Sequence, residues 1–300
     1  TGYNNTAVGK DALENCTTGY KNTAIGLNAM TSTTTGKENC AVGVACLEAN
    51  TTGNYNNGQG HRCLEANTGG SSNTAMGDFS MRLNTTGSNN AVFGASALTS
   101  NTTGSTNTAI GQAALRLNTT ASNNVAVGYQ SMEDNTTGTS NVAVGAVALN
   151  KNTTASQNVA VGKSCMEDLT TGSDNTAVGC DAGMNLTTGT TNTAMGRSAL
   201  RDATTGVCTA IGHNALKEVT TGTRNTALGA YAGDNCSTGN SNVYIGHHSG
   251  SNATASHNVT IGDYAGWDIT SGGQNTVIGQ AAGYNITSGA YNVCIGYNAA

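Results

Sequence analysis

The sequence predicts an all-β fold, a single parallel β-solenoid (β-roll) of about 18 coils with 17 residues per coil. Three observations predict it. The string Asn-Thr-Ala-Val/Ile-Gly recurs along the whole 300-residue chain, its glycine returns every 17 residues, and the composition suits no ordinary globular core. Gly contributes 41 residues, Pro none, aromatics 4% and charged residues 10%. Low charge also argues against disorder, which goes with high net charge and few apolar residues. A fixed period held this long means that each repeat occupies the same place in a stack.

The recurring glycine serves as a pivot. It falls at Gly9, Gly26, Gly43, Gly60, Gly77, Gly94, Gly111, Gly128, Gly145, Gly162, Gly179, Gly196, Gly212, Gly229, Gly246, Gly262, Gly279 and Gly296. Two steps, Gly196 to Gly212 and Gly246 to Gly262, are 16 residues long. Tightened turns are expected there, with the stack continuing through both. Positions below are counted from the pivot. Position −1 is apolar in every copy but Gln59, and position −3 is mostly Thr or Val. Strand side chains alternate, so these two columns share a face, and their apolar character assigns them to the core. Position −2 then points outward, yet it is Ala in 12 of 18 copies. A small, uniform outward column suits close approach of another chain. It predicts a homo-oligomer, trimer favoured, with Ala7, Ala109, Ala126 and Ala227 at the contact.

After the pivot, position +3 is Ala, Ser or Cys, and +4 is Leu or Met early and often Gly later. Positions +1, +2, +5 and +6 vary and carry most of the charge, as a solvated face does. Position +7 is Asn in seven consecutive coils: Asn50, Asn67, Asn84, Asn101, Asn118, Asn135 and Asn152. It then becomes Leu169, Leu186, Ala203, Val219, Cys236, Ile269 and Ile286. Apolar replacement predicts that the column points inward and that the seven asparagines form an internal ladder. Gly183 accompanies Leu186, Gly266 accompanies Ile269, and Gly283 accompanies Ile286. A filled core requires such trades of volume. One turn follows Thr-Thr-Gly, and another lies at the pivot. Asn at −4, present in 17 of 18 copies with Cys208 the exception, can hydrogen-bond along the axis. Coils about 4.8 Å apart would build a stack of roughly 85 Å.

The strings Asn124–Gly128, Asn141–Gly145 and Asn158–Gly162, each Asn-Val-Ala-Val-Gly, resemble the β-roll head repeats of trimeric autotransporter adhesins. Similar strings occur in phage tail-fibre and other surface-fibre repeats. The 17-residue unit is longer than the adhesin head unit. The resemblance implies an extended, surface-displayed, oligomeric β-roll.

Little points to catalysis. His61, His213, His247, His248 and His257 sit at variable or turn positions and read as solvated. Glu48 and Glu65 stack in one column, as do Glu133 and Glu167 two coils apart, but Arg82, Arg116 and Lys217 share that column. A charged edge is therefore expected rather than a glycosidase cleft. Nine cysteines without C-x-x-C predict no zinc site. Cys46 and Cys63, neighbours in one column, are a candidate disulfide. Outward sequons make Asn15, Asn185, Asn235 and Asn285 candidate glycosylation sites.

The expectation is therefore an extracellular structural fibre or adhesive shaft, at a cell or virion surface, and not an enzyme. A phage tail-fibre or tailspike receptor-binding shaft is the alternative, and an ice-binding protein using the Thr column at +8 a third. No cofactor or metal is expected. The expected partners are other copies of the chain and host-surface or matrix glycans. Nucleic acid is not expected, because the net charge is −5 and the 12 basic residues are scattered. No apolar run approaches the ~20 residues of a membrane span. The chain opens at Thr1-Gly2 and closes at Ala299-Ala300, both in mid-repeat. Residues 1–300 are thus expected to be one continuous repeat domain cut from a longer chain.

Overall fold

The computed structural model describes residues 2–300 and contains no helix among them. Eighteen three-residue strands, from β1 (Thr6–Val8) to β18 (Val293–Ile295), form one parallel 18-stranded sheet. Each coil supplies one strand, and the rest of the coil is turn. The chain divides into two compact units, Thr1–Thr154 and Ala155–Ala300. The first holds β1 to β9 (Val142–Val144), and the second holds β10 (Val159–Val161) to β18.

Strand pairing follows the period. Thr6, Ala7 and Val8 face Thr23, Ala24 and Ile25 in the first unit, and Val159, Ala160 and Val161 face Thr176, Ala177 and Val178 in the second. The turns are bonded between coils as well. Leu13 N–H donates to the Ala29 carbonyl (3.1 Å) and Asn15 N–H to that of Thr31 (3.1 Å), while Asn28 N–H reaches back to Lys10 (3.0 Å). Every side of a coil thus satisfies its backbone through its neighbours, which lets so much turn be stacked without unpaired polar groups.

The strands are turned over relative to the sequence expectation. Ala24, Ala41, Ala109, Ala126 and Ala210 at −2 are fully buried, whereas Ile25 and Ile110 at −1 are 40% exposed and Leu228 48%. The reason is volume. The −2 column looks across a thin interior at the small +3 side chains and the Leu or Met of +4. At Gly58, even a Cβ would come within 2.7 Å of the Cys46 sulfur. Most side chains larger than Ala enter this column where the opposite wall is cut back, Val92 in a coil with Leu98 at +4 being an exception. Tyr244, fully buried, lies between Gly233 and Gly250, and the Gly266 position faces Thr260 while Gly283 faces Val277. The Ala column is therefore interior and cannot be the surface where chains meet.

Backbone conformation sets the coil's shape. Residues at −5, +2 and +4 are left-handed in coil after coil, as at Lys21 (φ 55°), Asn28 (φ 59°) and Met30 (φ 51°). Most are not glycine, so the stack carries a local cost of about 1–2 kcal/mol at such sites, largest for β-branched residues. Val147, half-exposed with φ 53°, is one. Replacing it with Asn, which tolerates this region, is expected to raise stability by about 1 kcal/mol in a denaturant melt.

The two short coils omit different residues. In the first, the Gly206 carbonyl still receives the Asn192 amide (3.0 Å) and the Val207 carbonyl accepts from Arg224 N–H as the residue after the glycine does elsewhere, so the lost residue is the left-handed one at −5. In the second, Ala255 takes the glycine's place as acceptor from Asn242 (2.9 Å), so the loss falls in the preceding Thr-Thr pair. Pairing continues through both, from β12 (Thr193–Met195) to β13 (Thr209–Ile211) and from β15 (Val243–Ile245) to β16 (Val259–Ile261).

Candidate functional site

Three side-chain ladders run along the stack. The asparagines at +7 point inward. The Nδ2 group of Asn67 donates to Asn50 Oδ1 (2.8 Å), and the chain continues through Asn84 to Asn67 (2.7 Å), Asn101 to Asn84 (2.7 Å), Asn118 to Asn101 (2.9 Å), Asn135 to Asn118 (2.9 Å) and Asn152 to Asn135 (2.7 Å). All seven are fully buried. The second amide hydrogen goes to the turn carbonyl three residues on, as from Asn101 to Gly104 (2.9 Å). A buried amide is stable only when paired in this way.

The asparagines at −4 form a second ladder facing the same carbonyls. Asn39 Nδ2 donates to Asn22 Oδ1 (3.1 Å) and to the Gly53 carbonyl (2.9 Å), which also receives Asn50 (3.1 Å). Cys208 interrupts the column. Its N–H still reaches Asn192 Oδ1 (2.8 Å), and its thiol donates to Gly222 (3.4 Å) in place of an amide. The third ladder is the Thr column at +8, where Thr51 Oγ1 donates to the Thr68 carbonyl (3.0 Å) and Thr102 to Thr119 (3.0 Å). Those hydroxyls are tied to backbone, which weakens their case as an ice-ordering row.

Arginines pair with two carboxylates of the +5 column. Glu65 lies between Arg62 (3.6 Å) and Arg82 (3.7 Å), and Arg116 meets Glu133 at 2.6 Å. Glu48, Glu65, Arg62 and Arg82 line a shallow depression of about 490 Å³. A general acid needs a carboxyl raised by an apolar or like-charged setting, and Glu65 has guanidinium groups instead. Burial does push the Asp234 carboxyl up, opposed by Lys217.

Cys46 and Cys63, the candidate disulfide, are both free buried thiols. They stand one above the other with parallel side chains, a poor geometry for a bond between them. The hydrogen bond to Cys63, with burial, pushes the Cys46 thiol up. Burial raises Cys165 to about 12. Cys180 is the one exposed thiol among the described residues. A thiol reagent applied to the folded chain at pH 8 should therefore modify Cys180 first and leave Cys165 unlabelled, as peptide mapping would show.

The four outward sequon asparagines divide. Asn15 and Asn285 are exposed; Asn185 and Asn235 are half-buried. Three are hydrogen-bonded along the column through Nδ2: Asn15 to the Thr31 carbonyl (3.0 Å), Asn185 to Asp202 (3.0 Å) and Asn235 to Asn252 (2.7 Å). That atom is the one a glycan would take.

Sequence reasoning missed a ring cluster in the second unit. Tyr231, His248 and Tyr264 stack at 4.7 and 5.0 Å, Trp267 lies beside His248 (5.0 Å) and Tyr264 (5.2 Å) and stacks on Tyr284 at 6.2 Å, and His213 and His247 meet the row edge-on. The histidines of this cluster are thus not isolated in solvent. Burial, with His247 alongside, pushes the His248 imidazole down. His248 Nδ1 lies 3.3 Å from Ser251 Oγ, but that hydroxyl donates to the Tyr231 carbonyl (2.8 Å) and is only 3% exposed. It is not placed as a nucleophile. The signal was compositional: the chain's single Trp and three of its five His gather in neighbouring coils. It was obscured because the rings fall in three different columns.

No protein-family model and no characterised protein matches the chain. Among the described residues no helix is long and apolar enough to cross a membrane, and no cluster of His, Cys, Asp or Glu is arranged to hold a metal ion.

Proposed function

We propose that this chain is a non-enzymatic structural shaft, displayed outside the cell or on a virion, that assembles with copies of itself. One observation carries the reading. Coil after coil directs its polar groups along the stack, through backbone bonds, two asparagine ladders and a threonine ladder. Such a structure resists fraying and carries load along its axis. A transition state would need polar groups preorganised toward a reacting centre. The test pairs electron microscopy of the purified chain with a sugar-release assay on a panel of polysaccharides. Elongated particles and no released sugar are expected. Sugar release abolished by Glu65→Gln or Glu133→Gln would overturn the reading in favour of a tailspike enzyme.

The ring cluster favours a second reading, a shaft that also binds a receptor glycan, as in a tail fibre. Tyr and Trp are the residues that dominate contact surfaces, and Tyr284 is 39% exposed. Binding on a glycan array that Trp267→Ala removes would support it, and binding unchanged by that substitution would count against it.

A further inference from the structure

We infer that two copies of the chain pair face to face through the outward side of their parallel sheets, rather than through the Ala column or as a trimer. This rests on the structural-shaft reading and names the surface that would join its copies. Positions −3 and −1 contain no Asp, Glu, Lys or Arg in any coil. Position −3 is Thr or Val with Cys40, Asn57 and Ala91 as exceptions, and −1 is aliphatic, Met or Phe apart from Gln59. Their aliphatic side chains are substantially open to solvent, as with Ile110 (40%), Met195 (42%) and Leu228 (48%). Elsewhere on the coil, exposed positions mix both signs of charge, as at Lys21 with Glu38 and Arg116 with Glu133.

Parallel sheets occur almost only with both faces covered. Here the chain covers one face with its own +3, +4 and +7 side chains and leaves the other bare. Nine strands about 4.8 Å apart and about 10 Å long give a flat footprint of about 400 Å² in each unit. The two units together carry about 800 Å² of such face, as much as one partner contributes to a standard stable interface. A charge-free face of about 400 Å² in one unit is already of the size at which surface patches mark interaction sites.

The repeat argues for a second copy as the occupant. The outward rows recur at the coil spacing, and only a partner with the same spacing can seat side chains between them along the whole face, as in a dry zipper. A globular partner would match at one or two rows. The number of copies follows from the geometry of the strands. Each coil has a single strand and hence a single such face. Two flat faces laid together about 10 Å apart bury each other completely, and a two-fold axis between them makes the contact self-complementary. A third chain would find no equivalent surface left.

The test is the mass of the full chain in solution by sedimentation or light scattering. Wild type is expected at twice the 30.0 kDa of one chain. The double variant Ile110→Lys, Val144→Lys places charge on the face without touching the interior. It should fall to the mass of one chain while keeping its β-sheet spectrum. Thr103→Lys, exposed but off the face, should remain a pair. A trimer, or a pair that the double variant leaves intact, would overturn the inference. So would a wild-type monomer. If that monomer lowered the freezing point of water and the double variant did not, the face would be meeting ice instead of another copy. A monomer that remains elongated and releases no sugar would defeat the pairing and leave the structural reading standing.

Discussion

Gly128→Ala is expected to destabilise the chain by about 4 kcal/mol or to prevent it from folding. Two effects combine there. Gly128 has φ +140°, a conformation that residues with a side chain rarely adopt, at a cost of about 1–3 kcal/mol. An added Cβ would also sit against the carbonyl oxygen of Gly145 in the next coil, well inside van der Waals contact. Overpacking of this kind adds about 1–3 kcal/mol where the neighbour can move. This neighbour is held in place, because Gly145 N–H donates to the Val127 carbonyl (2.8 Å). Chemical denaturation of the variant gives the answer. A loss below about 1 kcal/mol would mean that the pivots are not stacked closely.

The second large effect is expected at Asn101. Its amide donates to Asn84 Oδ1 (2.7 Å) and Gly104 O (2.9 Å), and its Oδ1 accepts from Asn118 (2.9 Å). Asn101→Ala opens a gap and leaves groups on both neighbours short of a partner, a loss of about 3 kcal/mol. Asn101→Leu is a different experiment. In the later coils, a Cβ at Gly266 would lie 2.7 Å from Ile269 Cδ1, and one at Gly283 would lie 2.9 Å from Ile286 Cδ1. Leucine is less demanding there, since a Cβ at Gly183 meets Met166 and not Leu186, but it adds volume opposite Leu98, so adding Leu98→Gly should recover part of the loss. A double-mutant cycle should show coupling of about 1–3 kcal/mol. Leu169 sits beside the unbranched Met166 with both fully buried, so Leu98→Met is expected to recover part of the loss as well.

The period, the coil boundaries and the direction of the Asn50–Asn152 column were legible because copies within one chain can be compared position by position. Replacement of asparagine by Leu and Ile could mean only an inward site. The face of the strand was not legible from hydrophobicity. In a wide core the Ile and Val of −1 would be inside and Ala7 or Ala126 outside. In this coil the interior is so thin that Ala is the largest residue usually admitted, and the aliphatics are excluded. The informative property of the −2 column was its uniform smallness. Tyr244 is admitted to that column because Gly233 and Gly250 flank it, a trade of volume across the interior that the comparison of +4 with +7 does not reveal. The later glycines at +4 also occupy left-handed positions, with φ 58° at Gly183 and 59° at Gly266, a constraint that volume alone does not reveal.

The side-chain amide protons of Asn50 to Asn152 offer the most direct test of a stack held together from within. Their exchange with deuterated water can be followed by nuclear magnetic resonance in the folded chain. The structure predicts that the interior members of the ladder, Asn67, Asn84, Asn101, Asn118 and Asn135, exchange as slowly as the buried backbone amides beside them. Exchange at the rate of a free asparagine side chain would place these residues in solvent and contradict the inside-outside register on which the account rests.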